Sequence, residues 1–322
     1  MLIRPRRNRT TAGRRALVNE TVLSASNLVL PLFVQEGSGT TPIKSMPGHA
    51  RLGIEPLVGL ARRAYAAGVP AVALFPAIDD KLKNSRGTES ENPEGLLQRA
   101  VRALKQAEPE LVVITDVALD PYSSDGHDGV VIDGRIDNDE TLPLLGKMAV
   151  AQAKAGADMV APSDMMDGRV GVIRRALDES GFTDVGILSY CVKYASAFYG
   201  PFRDALDSAP RAGDKKTYQM SPGNVREALR EIELDEAEGA DILMVKPGLP
   251  YMDVVRFVRE HSKLPVAVYH VSGEYAMLKA AAERGWLDFE KCLLESLLGL
   301  RRAGADMIFT YGALEAAELL AR

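Results

Sequence analysis

The sequence contains little cysteine, histidine or tryptophan: its 322 residues include two, four and one of these, respectively. Cys191 and Cys292 can form neither a disulfide framework nor a CxxC metal-binding pair, which is typical of proteins from a reducing cytoplasm. No apolar stretch approaches the roughly 20 residues that cross a bilayer. The formal net charge of −5 is spread along the chain, so neither nucleic acid nor a membrane is an expected partner. The composition predicts a simple cytoplasmic enzyme.

A local excess of positive charge lies in the segment RPRRNRTTAGRR, residues 4–15. Such a segment can be an arm that binds RNA or a membrane, or an arm that packs on a neighbouring subunit. The remainder of the chain is acidic, which favours subunit packing. We therefore predict that residues 1–25 form an arm for contacts in a homo-oligomer. Residues 26–322 are predicted to form a single catalytic domain.

A phrase of one form, Gly-Ala-Asp followed by an apolar run, occurs three times. It appears in AGADMVAPSD, EGADILMVKPG and AGADMIFTYGA, at residues 155–164, 238–248 and 303–313. In each phrase a glycine is placed to end a helix, and a β-rich run follows directly. Five further apolar runs bring the strand candidates to eight. They lie at residues 28–34, 66–76, 111–117, 185–190 and 265–270.

Eight strands that alternate with helical patterns predict a (β/α)₈ TIM barrel. The alternative is an open doubly wound sheet, but no G-x-G-x-x-G follows the first strand. The segment 120–140, DPYSSDGHDGVVIDGRIDNDE, interrupts the alternation and is rich in Asp and Gly. We expect it to form a loop or a small hairpin over the barrel mouth.

Polar side chains recur at the points where the predicted strands end. In a barrel of this class the active site lies at the carboxyl ends of the strands, so these side chains are expected to meet at one mouth. They are Asp116, Ser163, Asp164, Tyr190, Lys193, Lys246, His270, Ser272, Thr310 and Tyr311.

Two of these strand-end residues are lysines, Lys193 and Lys246. A lysine in a desolvated pocket near another cation has a lowered pKa and can attack a carbonyl to form a Schiff base. The alternative for a lone lysine is a solvated position at the strand end. Here two lysines lie on neighbouring strand ends, and one of them is within the aromatic-rich run SYCVKYASAFYGPFRDA. This arrangement favours a catalytic role over a solvated position. Those aromatic residues are expected to close an apolar lid or to pack on the rim.

The acidic loop carries Asp120, Asp125, His127 and Asp128 close after Asp116. Carboxylate oxygens suit Mg²⁺ or another hard cation better than zinc. Loops rich in Asp and Gly are also common as solvated turns, so the loop leaves both interpretations open. In PSDMMDGR, residues 162–169, Ser163 is equally suited to cap a helix and to contact a substrate.

Six long motifs together resemble the porphobilinogen synthase family, also called 5-aminolevulinate dehydratase. They are SYCVKYASAFYGPFRDA, KKTYQM, ADILMVKPG, YHVSGEYAM, PSDMMDGR and DVALDPYSSDGHDG. The resemblance covers nearly the whole chain. It implies a TIM barrel with an N-terminal arm, usually assembled as an octamer. The implied reaction condenses two 5-aminolevulinate molecules into porphobilinogen, an early step of tetrapyrrole biosynthesis.

The resemblance also implies roles for individual residues. Lys246 is expected to form the Schiff base with the substrate of the P site, which becomes the propionate side of the product. Lys193 is expected to form the one at the A site, the acetate side, and Asp116 to assist proton transfer. The expected contacts to the substrate carboxylates are Ser272 and Tyr311 in the P site, and Arg203, Lys215 and Gln219 in the A site.

Metal use is implied by the same resemblance. Zinc-using members of the family place three cysteines where this chain has Ala118, Asp120 and Asp128. The chain is therefore expected to belong to the zinc-independent, Mg²⁺-responsive type. Whether Asp120 and Asp128 bind Mg²⁺, a monovalent cation or nothing stays open. Glu231 corresponds to a ligand of an allosteric Mg²⁺ at a subunit contact.

Two other classes of protein compete with this interpretation. A Schiff-base aldolase needs only one lysine, whereas two amines and two carboxylate clamps suit the joining of two identical amino-keto acids. A non-catalytic oligomeric scaffold would use the basic arm and the helices, and the paired lysines argue against it.

Overall fold

A closed barrel of parallel strands forms the centre of the computed structural model, which describes residues 1–206 and 210–322. The strands are β1 (Leu28–Gln35), β2 (Thr40–Pro42), β3 (Ala50–Leu52), β4 (Ala71–Ala77), β5 (Val112–Val117), β6 (Val130–Ile132), β7 (Arg135–Asp137), β8 (Met159–Pro162), β9 (Gly186–Lys193), β10 (Ile242–Lys246), β11 (Val266–His270) and β12 (Met307–Thr310). The barrel runs in the order β1, β4, β5, β8, β9, β10, β11 and β12, and β12 pairs with β1. This closure confirms the predicted (β/α)₈ barrel.

The α-helices pack around the outside of this barrel, except the first, which lies in the exposed N-terminal segment. Within the described ranges they are α1 (Ala12–Leu17), α2 (Ile54–Ala66), α3 (Leu96–Ala107), α4 (Asn138–Ala155), α5 (Arg169–Glu179), α6 (Gly200–Leu206), α7 (Glu227–Glu238), α8 (Met252–His261), α9 (Ser272–Glu283), α10 (Phe289–Ala303) and α11 (Ala313–Leu320). Most present an apolar face to the strands, and the buried residues between the two layers form the larger of two core clusters.

The repeated Gly-Ala-Asp phrase has a physical role at the amino ends of the strands. Gly156, Gly239 and Gly304 end α4, α7 and α10 with φ of 104°, 101° and 132°, values that favour glycine. The aspartate two residues later accepts a hydrogen bond from a backbone N–H of the preceding barrel strand. The pairs are Asp158 with Val113 (2.8 Å), Asp241 with Ile187 (2.7 Å) and Asp306 with Val266 (2.9 Å). Each phrase therefore ties two neighbouring strands together at the amino end of the barrel.

Aromatic side chains fill the barrel interior towards its carboxyl end. Phe33 stacks on Tyr311 with ring centroids 5.9 Å apart, and Tyr269 lies 6.4 Å from Tyr190 and 6.5 Å from Phe75. All five residues are buried. These rings form a packed apolar floor beneath the mouth of the barrel. A polar group that lies directly on this floor is shielded from water on that side.

Two hairpins lie beside the mouth of the barrel. The antiparallel pair β6 and β7 lies within the acidic segment 120–140, as predicted for a loop or small hairpin. The pair β2 and β3 continues the barrel sheet beyond β1. From this second hairpin the Arg51 guanidinium donates a hydrogen bond of 2.5 Å to the Ala205 carbonyl in α6. The β2–β3 hairpin thus contacts the segment that covers the mouth.

The basic N-terminal segment lies at the surface of the chain. Residues 1–20 are exposed, and the exposed fractions of Leu2, Ile3 and Leu17 are 93%, 81% and 87%. In the described part of the chain, no helix is both long enough and apolar enough to span a membrane.

Candidate active site

Lys246 and Lys193 lie side by side at the mouth of the barrel. They are the last residues of β10 and β9, and they are register partners in the parallel pairing of these strands. Each is only 6% exposed, although lysine is rarely buried. The barrel therefore brings the two predicted lysines together, as expected from the strand ends.

Aromatic rings surround the Lys246 amine. Its Nζ lies 4.5 Å from the ring centroid of Tyr269, 5.1 Å from those of Tyr190 and Phe202, and 5.2 Å from that of Tyr199. Within the described residues this Nζ makes no hydrogen bond or ion pair. Burial first, and then the nearby Lys193 cation, lower the pKa of Lys246 to about 7. A substantial fraction of the amine is therefore neutral, and nucleophilic, at neutral pH.

Lys193 has a more polar environment than Lys246. Its Nζ donates to the backbone carbonyl of Ser163 and lies 3.4 Å from the Asp128 carboxylate. Ser163 is the predicted residue that follows β8, so it holds Lys193 through its main chain. The two lysines share a mouth but differ in their partners, which suits two amines with different tasks.

Asp116 occupies the end of β5 next to the lysines. Burial raises its pKa to about 7, with a further contribution from the nearby Asp120 carboxylate, while Lys193 opposes the rise. Its Oδ1 is buried and has no hydrogen-bond partner among the described residues. Because this carboxyl exchanges its proton near neutral pH, it is suited to move protons beside the amines.

Lys215 lies between the two aspartates that were considered as metal ligands. Its ammonium is 3.2 Å from Asp120 and 2.5 Å from Asp128, and all three residues are buried. Against the effect of burial, Lys215 and Lys193 hold the pKa of Asp128 below its usual value, so this carboxylate is charged. The structure therefore places an ammonium group between the two aspartates, at the position where the sequence left open whether a metal ion binds.

Residues 194–206 and 210–220, called the lid segment below, cover these groups. The lid residues Tyr199, Phe202, Arg203, Lys215 and Gln219 line a cavity together with Lys193, Lys246, Asp116, Asp120, Ser163 and Phe75. The cavity has a volume of about 30 Å³, enough for only a few water molecules. Eight of the predicted site residues line this one cavity: Asp116, Asp120, Ser163, Lys193, Arg203, Lys215, Gln219 and Lys246.

Ser272 and Tyr311 lie behind the cavity wall. The Ser272 Oγ accepts a hydrogen bond of 3.0 Å from the backbone N–H of Phe202, and the Tyr311 hydroxyl is 3.1 Å from that of Tyr269. Both partners have rings against the Lys246 amine. The two residues thus adjoin the Lys246 side of the mouth, separated from it in this structure by one layer of rings.

Glu231 lies away from the mouth, on α7 outside the barrel. Burial, and to a lesser extent Asp235, raise the pKa of its carboxyl to about 7 against the opposing effect of Arg169. It lines a groove of about 1120 Å³ together with Asp167 and Asn138. In the described part of this single chain, no group of three or more His, Cys, Asp or Glu side chains is arranged to hold a metal ion.

Three residues of the site were not predicted from the sequence, and one of them is Phe75, which lines the cavity. Tyr269 supplies the ring nearest to the Lys246 amine, and Glu274 accepts hydrogen bonds from the loop that follows Lys246. Strand periodicity would have placed Tyr269 inside the barrel. Glu274 could have been found from its position in HVSGEYAM, because a glutamate in the first turn of a helix can accept backbone N–H groups at the helix start.

This geometry defines a class: a TIM-barrel protein with two buried lysine amines at the carboxyl ends of neighbouring strands. The family model described as Delta-aminolevulinic acid dehydratase matches residues 2–319, and the chain belongs to this family. The chain is 60% identical over 322 residues to the chloroplastic delta-aminolevulinic acid dehydratase of Physcomitrium patens, covering 99% of this chain and 74% of that protein. The corresponding Glycine max protein is 60% identical over 319 residues, covering 98% and 77%.

A solved structure shows the same fold in detail. The crystal structure of delta-aminolevulinic acid dehydratase (porphobilinogen synthase) from Toxoplasma gondii ME49, in complex with the reaction product porphobilinogen, has a TM-score of 0.98 to this chain. The two chains are 57% identical, and the match covers 99% of this chain and 92% of that one.

The predicted cytoplasmic location is wrong in the light of these relatives. The plant proteins at 60% identity are named chloroplastic. The prediction rested on the two cysteines. A low cysteine count shows only that the fold needs no disulfide framework, and this is equally true of proteins from other reducing compartments.

Proposed function

We propose that this protein condenses two molecules of 5-aminolevulinate into porphobilinogen, with the release of two water molecules, in tetrapyrrole biosynthesis. Membership of the delta-aminolevulinic acid dehydratase family supports the reaction. The observation that carries the proposal is the pairing of Lys246 with Lys193 at one mouth. Two identical keto acids need two amines, whereas an aldolase that uses a single imine needs only one.

Lys246 is the primary nucleophile in this proposal. Its neutral amine attacks the ketone of the P-site substrate to give a carbinolamine, which loses water to form the imine. Asp116 lies within the same cavity and exchanges protons near neutral pH, so it supplies and removes the protons of these steps. Lys193 forms the second imine with the A-site substrate.

The carboxylates of the two substrates are held on opposite sides of the lysine pair. Ser272 and Tyr311 adjoin the Lys246 side, and Arg203 and Gln219 line the cavity from the lid segment. An ammonium group has three donors, so Lys215 can pair with both aspartates and still offer one N–H to the A-site carboxylate. A cavity of about 30 Å³ cannot admit two substrates, so the lid segment opens to bind them.

The acidic loop requires no zinc in this proposal. Ala118 has no ligand atom, and the Lys215 ammonium lies between Asp120 and Asp128. A divalent cation between the same carboxylates would have to displace this ammonium, so the residues present do not fit a resident Mg²⁺ there. For a monovalent cation the same position is already taken. We propose that Lys215 supplies the positive charge itself.

Glu231 is proposed as one ligand of an allosteric Mg²⁺ that stabilises the assembled protein. A single carboxylate does not complete a Mg²⁺ site, which takes several oxygen ligands including water. The remaining ligands therefore come from water and from a neighbouring subunit of a homo-octamer, assembled through the arm of residues 1–25. Loss of Mg²⁺ stimulation in Glu231→Gln, with the activity measured without Mg²⁺ unchanged, tests this role.

Product formation and imine trapping test the central proposal. The purified protein is incubated with 5-aminolevulinate, and porphobilinogen is measured directly. Borohydride added during turnover should reduce an imine and leave a stable adduct on the peptide of residues 240–256, ADILMVKPGLPYMDVVR. Absence of the product, or an adduct confined to another peptide, would contradict the proposal.

A further inference from the structure

The carboxylate of Glu274 joins the two strand-end loops on the Lys246 side of the mouth. It lies at the third position of α9 and is fully buried. Its Oε1 accepts a hydrogen bond of 2.5 Å from the backbone N–H of Leu249, and its Oε2 accepts one of 2.6 Å from that of Val271. The N–H of Gly248 lies 3.4 Å from Oε2. One side chain therefore satisfies three buried backbone donors in two different loops.

The loop that follows Lys246 has few other ways to be held. Pro247 has no N–H, so the first two backbone donors after the lysine are those of Gly248 and Leu249, and both point to Glu274. These N–H groups are also the free donors at the start of the 3₁₀ turn Leu249–Tyr251, which leads into α8. Glu274 consequently caps two helix starts at once, that of this turn and that of its own helix α9.

The second loop held by Glu274 carries Ser272. Val271 is the N-cap residue of α9, and Ser272 follows it as the first helical residue. The Ser272 Oγ accepts from the backbone N–H of Phe202, whose ring lies 5.1 Å from the Lys246 amine. A shift of the α9 start would therefore move Ser272 and, through it, the lid residue above the nucleophile.

From this geometry we infer that Glu274 is a positioning residue for Lys246 and Ser272, which locks the nucleophilic amine and the substrate-carboxylate contact into one unit. The inference rests on the proposed function for the roles of those two residues. Glu274 itself lies outside the residues that line the cavity and touches no reacting atom in this scheme. Burial raises the pKa of its carboxyl to about 7 against the three backbone donors, which shows how strongly its site is shielded from water.

Glu274→Gln is the informative substitution, because it preserves shape but replaces one acceptor oxygen with an amide N–H donor. Asp241→Asn is the matched control. Asp241 precedes the same strand β10 and accepts a backbone N–H from β9 at 2.7 Å, but at the opposite end of the barrel. A merely structural loss should lower the thermal midpoint of both variants and leave Lys246 chemistry unchanged in the folded fraction.

The first readout is reductive methylation of Lys246 with formaldehyde and cyanoborohydride, followed by peptide mapping across a pH series. This reaction reports the neutral amine and does not depend on the natural substrate. In Glu274→Gln we expect a slower reaction at neutral pH, by about tenfold, and a higher pH midpoint, since a displaced lysine leaves its apolar surroundings. In Asp241→Asn we expect the wild-type midpoint.

The second readout is borohydride trapping with 5-aminolevulinate, where the adduct at Lys246 should fall by about tenfold in Glu274→Gln. If the wild-type protein makes no porphobilinogen, the proposed function fails. The pH midpoints of Lys246 methylation still test whether Glu274 positions this lysine. If Glu274→Gln does not fold, Glu274→Asp decides: it keeps the charge but is one methylene too short to reach both loops. Wild-type methylation and trapping in the folded variant would overturn the inference.

Discussion

The hydroxyl of Tyr199 donates a hydrogen bond of 3.2 Å to the backbone carbonyl of Lys246, and its ring lies 5.2 Å from the Nζ of the same lysine. One lid residue therefore contacts both the main chain and the amine of the proposed nucleophile. The same hydroxyl lies 2.7 Å from the Tyr194 carbonyl at the start of the lid segment. The Tyr199 hydroxyl consequently links the lid segment to the main chain of Lys246.

Tyr199→Phe removes this hydroxyl and keeps the ring. We expect kcat/KM to fall by about three- to tenfold, because a net hydrogen bond contributes about 1 kcal/mol and the buried carbonyls lose a donor. Steady-state kinetics with 5-aminolevulinate provide the measurement. Tyr251→Phe is the control, since the Tyr251 hydroxyl makes no hydrogen bond within residues 1–206 and 210–322. Equal losses in both variants would show that the Tyr199 hydroxyl has no special role.

Substitution of the two lysines should separate their tasks. Lys246→Arg keeps a positive charge but removes the nucleophile, because a guanidinium stays protonated. We expect this variant to fold, to assemble, and to lose turnover by several orders of magnitude. Replacing Lys193 should leave the imine at Lys246 trappable by borohydride while abolishing product. Peptide mapping of the reduced adducts decides between these outcomes, and substantial turnover by Lys246→Arg would refute the assignment.

The pH dependence of stability should reveal the cost of burying Lys246. Its pKa is about 7 when folded, against an ordinary value of 10.5, so the unfolded chain binds more protons between these values. The contribution of this residue to the free energy of unfolding is therefore most unfavourable below pH 7 and improves as the pH rises towards 10.5. Lys246→Met should stabilise the protein by about 1–4 kcal/mol near pH 6, and by less near pH 9.

Thermal denaturation of wild type and Lys246→Met at both pH values checks this prediction. Asp116 contributes with the opposite sign, because its raised pKa makes the folded state bind more protons between about pH 4 and pH 7. Because Lys246 and Asp116 each affect the pKa of the other, the difference between the variant and wild type reports both groups together. A variant that is less stable than wild type near pH 6 would contradict the conclusion that burial of the Lys246 amine destabilises the folded protein.

Metal dependence should follow from Lys215. A zinc-selective chelator is expected to leave wild-type activity nearly intact. Lys215→Met removes the ion pair of Asp120 and leaves buried Asp128 with Lys193 alone, and we expect activity to fall by at least about 100-fold. Lys216→Met is the matched control, since the Lys216 ammonium pairs with Asp214 at the surface.

The chelator experiment also has an outcome that would overturn this account of the acidic loop. Stoichiometric zinc in the purified active protein, removed together with its activity, would show that a metal and not Lys215 supplies the charge. Full activity of Lys215→Met would show that the ammonium of Lys215 is not needed beside the two aspartates.

Deletion of residues 1–20 should reduce the assembly and leave the barrel folded. These residues are exposed, so their loss removes no core contact from the chain itself. Exposed Leu2, Ile3 and Leu17 are expected to pack on another subunit. Gel filtration should show a smaller species with much lower turnover. An unchanged elution volume together with unchanged activity would identify the segment as a solvated tail.

The barrel could be predicted because local signals repeated. The glycine that ends each helix and the apolar run after Asp158, Asp241 and Asp306 each indicate an element without knowledge of the rest of the chain. The function of those aspartates was not visible, because each accepts its hydrogen bond from a strand that lies at least 40 residues away in sequence. The register between neighbouring strands could not be predicted either, because it is fixed only when the strands pair in the folded sheet.

The candidate site was predicted as a set of residue types and not as a set of contacts. Lys193 and Lys246 could be placed at strand ends, and the parallel register then brings them together. The ion pairs of Lys215 join residues separated by 95 and 87 positions, and only the fold makes them neighbours. A residue expected to hold a substrate carboxylate was thus found to neutralise two carboxylates of the protein.

The register of β9 and β10 has a geometric consequence for chemistry. Neighbouring strands lie about 4.8 Å apart, a spacing fixed by backbone hydrogen bonds and independent of side-chain identity. The main chains of Lys193 and Lys246, which face each other in this register, are therefore held side by side whatever residues surround them. The sheet fixes where the two side chains begin, and the rings of the lid and the floor decide where their amines end, so substitutions that alter specificity should be found in the lid and the floor.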